Sequence, residues 1–185
     1  MPDAPEHSLL CHPANRCAAV HGVAASACLT ADGTLILSYD VRGEPDGIRI
    51  PTPLPSGAAD GLWQHTCCEA FAAAVDGPEY HEFNLSPSGQ WAAYRFAAYR
   101  ERDAAFVPLA APRIAVARRA DGFRLTARIA PELLPPGVYS KLASQIDVPP
   151  TLLHILAADG EDNFFGHSVF ETDVMTERGF ISNYQ

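Results

Sequence analysis

Eight side chains between positions 63 and 99 are of the types that recognise or transform a small polar molecule: Trp63, Glu69, Tyr80, Glu82, Asn84, Trp91, Arg95 and Tyr99. Planar rings stack on the C–H faces of a pyranose, and forked carboxylate, amide and guanidinium groups take its vicinal hydroxyls. Glu69 and Glu82 also have the composition of a glycosidase carboxylate pair, whose separation decides between retention and inversion. Other ligand types are scattered along the chain. Cys11, His12, Cys17 and His21 could hold zinc but contain no C-x-x-C pair. Asp159, Glu161, Asp162 and Asn163 could present oxygens to calcium, without the spacing of an EF-hand loop. His65, His81, His154 and His167 are the interior histidines, and no C-x-x-C-H haem attachment is present. Lys141 is the only lysine, so amine catalysis would rest on that one residue.

Strand alternation decides which of the eight could meet. Over 80–86, Tyr80, Glu82, Asn84 and Ser86 project from one face, and His81, Phe83 and Leu85 from the other. Over 91–99, Trp91, Ala93, Arg95, Ala97 and Tyr99 share a face. Glu69 shares one with Cys67 and Phe71. The expectation is one wall of acid, amide, guanidinium and aromatic groups set among small alanines. The ordinary alternative is a solvated sheet face with a Glu82–Arg95 cross-strand pair, Trp91 and Tyr99 covering the edge of the core. The adjacent Cys67 and Cys68 should point to opposite faces, one of them buried.

The elements that would position these groups are strands almost throughout. Residues 16–29 and the run Thr34 to Val41, joined through Ala31-Asp32-Gly33, predict a hairpin. Residues 43–61, rich in glycine and proline around Ile48-Arg49-Ile50, predict an irregular segment that no helix could cross. Thr66 to Val75, Tyr80 to Leu85 and Gln90 to Tyr99 predict a three-stranded meander. Ile114 to Ala117 and Phe123 to Ile129, around Ala120-Asp121-Gly122, predict a second hairpin. Leu152 to Ala157 and Ser168 to Val174 are the last strand candidates. About ten short strands with frequent turns indicate an all-β, antiparallel β-sandwich or jelly roll.

Composition bounds the class. With 185 residues, 48% of them apolar and 19% charged, the chain has material for one folded domain, expected to have its core over about 16–176 after a ragged N-terminus. Lys+Arg 13 against Asp+Glu 22 gives −9, a field that repels phosphate backbones and anionic lipids. Neither a nucleic-acid nor a membrane partner is therefore expected, a local arginine patch being the one exception charge allows. No apolar run reaches the roughly 18 residues of a membrane helix. Met1 to His12 does not read as a secretory signal, and five cysteines are an odd count. A cytoplasmic location with reduced thiols is the expectation. No dinucleotide fingerprint, P-loop, H-E-x-x-H or G-x-S-x-G motif is present.

The segment Trp63-Gln64, Thr66-Cys67-Cys68-Glu69-Ala70-Phe71, Tyr80, and Glu82 through Trp91 resembles the bacterial DOMON-like proteins, which are similar in turn to family 9 carbohydrate-binding modules. The shared pattern is an E-x-F strand, a Y-x-E-F-x-x-x-P-x-G hairpin and an aromatic-rich strand, covering about forty residues. The resemblance implies an immunoglobulin-like or jelly-roll β-sandwich in which aromatics clamp a sugar end. Calcium is the one cofactor it admits in the sugar-binding members; haem, bound by other members, is not expected here. By position, Glu69 and Phe71 match the E-x-F strand, and Glu82 and Asn84 match the hairpin. Phe165 to Phe170 corresponds only roughly to the closing strand. The reading is a non-catalytic domain binding a carbohydrate-like small molecule. The alternatives are a protein-interaction module without a pocket and a hydrolase using carboxylates or histidine.

Overall fold

Alternation of apolar and polar residues organises the chain into two facing sheets. The computed structural model describes residues 6–11, 17–44, 46–73, 78–136 and 180–181. In chain order its strands are β1 (His7–Cys11), β2 (Val20–Leu29), β3 (Leu35–Gly43), β4 (Gly57–Ala58), β5 (Cys68–Ala73) and β6 (Tyr80–Leu85). They continue with β7 (Gln90–Ala98), β8 (Glu101–Arg102), β9 (Arg113–Arg119), β10 (Gly122–Ile129) and β11 (Phe180–Ile181).

The first sheet has six strands in the order β11-β1-β2-β3-β10-β9, and the second has the order β4-β7-β6-β5 with β8 also paired to β7. Pairing is antiparallel except at β1–β11 and β4–β7, which are parallel. In β3, Leu35, Leu37, Tyr39 and Val41 point inward, and the β10 register sets Ile129, Ala127, Leu125 and Phe123 opposite them. From the other sheet Cys68, Ala72, Phe83, Leu85, Trp91 and Ala93 close the same core. A period of two with one apolar face per sheet is what a two-layer β fold requires. The fold is thus an all-β sandwich.

Both predicted hairpins and the meander form, as β2–β3, β9–β10 and β5–β6–β7. The N-terminal stretch is not ragged throughout: His7–Cys11 adds to the first sheet beside β2. Ile48-Arg49-Ile50 lies in a turn and coil, whereas the irregular segment supplies β4, too short to show in an alternation pattern. The strand candidates at 152–157 and 168–174, the acidic loop 159–163, the stretch 165–170, His154, His167 and Lys141 lie outside the described residues. No helix among the described residues is long and apolar enough to cross a membrane.

Candidate functional site

The register of the β6–β7 hairpin fixes which side chains share a face. A four-residue loop over Ser86–Gly89 would set Asn84 opposite Trp91 and Glu82 opposite Ala93. Instead Gly89 adopts a left-handed conformation, φ 94°, and its N–H donates to the Ser86 carbonyl at 2.9 Å. The Ser86 N–H then donates to the Gln90 carbonyl at 3.0 Å, making a three-residue loop that ends in a bulge. Each β6 residue is moved along by one, so Glu82 faces Tyr94, Asn84 faces Ala92 and Leu85 faces Trp91. A slip of one residue exchanges the two faces of a strand.

The expected single wall is therefore corrected. Glu69, Phe71, Tyr80, Glu82 and Asn84 do share the outer face of the second sheet, because β5 sets Glu69 opposite Asn84 and Phe71 opposite Glu82. Trp91 is turned the other way and sits in the core, 7% exposed. Arg95 is on that inward side too, near the end of β7. Its guanidinium bonds Asp103, lies 3.6 Å from Glu79 and rests 5.3 Å from the Phe106 ring centroid. The Glu82–Arg95 pair does not form, since His81 occupies the position opposite Arg95. Tyr99 falls in the turn after β7, with the Arg100 guanidinium 5.3 Å from its ring centroid. His81 is a buried, hydrogen-bonded group, its Nδ1 2.6 Å from the Leu133 carbonyl.

Tyr94 and Arg102, which sequence reasoning did not single out, complete the outer face together with Trp63, which it did. Tyr94 comes up beside Glu82, and its hydroxyl donates to Asp60. Arg102, on the short β8, lays its guanidinium 4.0 Å from the Tyr94 ring centroid, a cation–π distance. Trp63, in the 3-10 turn Leu62–Gln64, meets Tyr94 edge-on with centroids 6.4 Å apart and stays 39% exposed. Farther along the face Tyr80 stacks on Phe96 at 4.7 Å with nearly parallel rings. The signal that could have revealed Tyr94 was the Ser-Pro-Ser-Gly loop: a glycine in its last position marks the bulged, three-residue form.

The electrostatics of this face are unusual for a strand surface. Asn84 is fully buried and donates from Nδ2 to Glu82 Oε1 at 2.6 Å, while its Oδ1 lies 3.8 Å from Cys67 Sγ. Burial pushes the Glu82 carboxyl up, opposed by that hydrogen bond and by the Arg102 charge. Glu69, diagonal to Glu82, is pushed up to about 7 by burial and then by the neighbouring Glu82 charge. Among the described residues no donor or cation bonds the Glu69 carboxyl; only its backbone carbonyl is engaged, accepting from the Tyr39 hydroxyl at 2.9 Å. At neutral pH a carboxyl of this kind both donates and accepts. Cys67 lies on the outer side and Cys68 in the core, both thiols pushed up by burial first, Cys68 to about 12. No disulfide joins cysteines among the described residues, and none of their His, Cys, Asp and Glu side chains form a group of three that could hold a metal ion.

No family model, curated protein or solved structure matches this chain. What the outer face can do is accordingly read from its own groups. It offers two carboxyls and an amide in one row, flanked by an exposed indole and a phenol ring.

Proposed function

We propose that the outer face of the second sheet binds a small polyhydroxylated ligand of carbohydrate type, without chemical conversion, as a DOMON-like domain would. The observation that carries this reading is the row Glu69–Asn84–Glu82 lying beside Tyr94 and Trp63. The Glu69 and Glu82 carboxyls take adjacent hydroxyls, the buried Asn84 amide holds the Glu82 carboxyl in place, and the partly exposed indole offers the stacking plane. The earlier residue set changes accordingly: Tyr94 and Arg102 join it, and Trp91 and Arg95 leave it.

The chain has only two tryptophans, one in the core and one at this face. A glycan titration followed by indole fluorescence therefore reports on Trp63. A saturable change is expected with at least one mono- or oligosaccharide, lost in Trp63→Ala and weakened about tenfold or more in Glu82→Gln, roughly the effect of one charge-assisted hydrogen bond. Silence across a broad glycan panel, by fluorescence and by calorimetry, overturns the reading.

A second reading has one observation in its favour. Two carboxyls on one face with displaced proton affinities are the raw material of acid–base hydrolysis. Hydrolysis of an aryl glycoside panel, abolished in Glu69→Gln, would move the site from recognition to catalysis.

A further inference from the structure

The opposite, outer face of the first sheet holds a second cluster of functional groups. Asp40 is in the middle of β3 with its side chain 1% exposed, and three guanidiniums from three different strands converge on it. Arg42 Nε donates to Oδ1 at 3.1 Å, Arg119 Nη1 donates to Oδ2 at 2.7 Å, and Arg124 Nε donates to Oδ2 at 3.1 Å, with Arg124 Nη2 paired 2.9 Å from the same oxygen. The strand register explains the convergence. Arg124 stands directly opposite Asp40, while Arg42 and Arg119 flank Gly122, which puts no side chain between them.

One bidentate arginine is enough to satisfy a buried carboxylate. Three leave a surplus of two positive charges over Asp40, in a chain whose net charge is −9. Two rim carboxylates temper that surplus without entering the cluster: Glu6 Oε1 is 3.7 Å from Arg124 Nη2, and Asp121 is close enough to act on Arg42. Each guanidinium has five N–H donors, and only three hydrogen bonds and one further ion-pair contact go to Asp40. The unspent donors are on side chains 59%, 38% and 42% exposed for Arg42, Arg119 and Arg124. Farther down the same face Arg128 stands directly opposite Arg113, a like-charge pair that costs stability unless an anion is near.

We propose that Arg42, Arg119 and Arg124 form a site for a tetrahedral oxyanion, the phosphate or sulfate group of a small ligand, on the sheet face opposite the candidate sugar site. Asp40 is the positioning residue: it holds the three forks together so that their free edges are ordered before the ligand arrives. The two sites use different sheets and share no side chain, so either stands without the other.

Calorimetry at low ionic strength tests this with inorganic phosphate, inorganic sulfate and phenyl phosphate as separate arms. Saturable binding below roughly 10 mM is expected for at least one probe, weakening steeply with added salt. Tighter binding of phenyl phosphate than of inorganic phosphate assigns the group to an organic ester, and the reverse to a free ion. Arg119→Gln leaves Asp40 with two arginine partners and should weaken binding about tenfold or more. Arg49→Gln, the same charge change at an exposed residue whose carbonyl accepts from the Thr66 hydroxyl before β5, should leave binding unchanged. Trp63→Ala should also leave it unchanged, which separates this site from the sugar reading. Absence of binding by all three probes overturns the proposal, as does equal weakening by Arg119→Gln and Arg49→Gln in folded protein.

Discussion

Glu69 couples the candidate site to stability through a single proton. Its folded-state carboxyl titrates near 7 against 4.5 for the ordinary group, because burial and then Glu82 disfavour the anion. The folded state therefore holds this proton more tightly than the unfolded chain. Stability from it is full below about pH 4.5 and is lost as pH rises toward 7. Glu69→Gln should raise the stability measured at pH 8 by roughly 2 kcal/mol and change it little at pH 4.5, read from urea unfolding at both pH values. Asp40 has the opposite sign. Burial pushes its carboxyl up, but the Arg42 hydrogen bond and the Arg119 and Arg124 charges outweigh it and hold the group below its usual value. Its contribution is present above the ordinary aspartate range and is lost as pH falls through the folded value. Asp40→Ala removes charge-assisted hydrogen bonds to three partly exposed, solvent-screened arginines and should cost about 2 kcal/mol at pH 7, measured by the same unfolding curves.

At the scale of elements, the bulged β6–β7 loop is the feature on which the composition of the outer face depends. The longer strands β2, β3, β5, β6, β7, β9 and β10 were legible in the sequence, with the two alternating sets within β5, β6 and β7, since their runs alternate and are bounded by Asp-Gly or Ser-Pro-Ser-Gly, whereas β1, β4, β8 and β11 were not. What alternation cannot supply is the pairing between runs, because it fixes parity within a strand and leaves open which parity of the neighbour lies alongside. Glu82 and Asn84 were thus readable as companions, but their union with Trp91 and Arg95 depended on loop geometry. Gly122 shows the same dependence at the β9–β10 turn. Its φ is 147°, and an added Cβ would come 2.0 Å from the Val41 carbonyl oxygen. Gly122→Ala should destabilise the fold by about 3 kcal/mol or more, seen as a drop in melting temperature. Phe83→Ala, removing a ring with no exposure between the sheets, should cost about 3–5 kcal/mol.

Across the whole molecule, the two sheets close one core and turn chemically different faces outward. One presents acids and rings, the other arginines around an aspartate. The composition, at −9 overall, conceals this division, which arises because β3, β9 and β10 send Arg42, Arg113, Arg119, Arg124 and Arg128 to the same side. The core itself offers a global readout. Cys68 is buried and its thiol is pushed up to about 12, so at pH 8 it should resist alkylation until denaturant unfolds the chain. Mass spectrometry after brief labelling, with and without urea, checks that order. The parallel ladder between β1 and β11 was invisible to local patterning because it joins Leu10 to Phe180 and Cys11 to Ile181, nearly the length of the chain apart. Such a contact carries a large loop-closure cost and forms only when both partners exist. During synthesis the outer margin of β1 therefore waits, its amides and carbonyls open to water, until Phe180 and Ile181 have emerged. Until then the nascent chain carries an adhesive rim, and its safe maturation depends on how quickly the segment holding Phe180 and Ile181 docks once it is made.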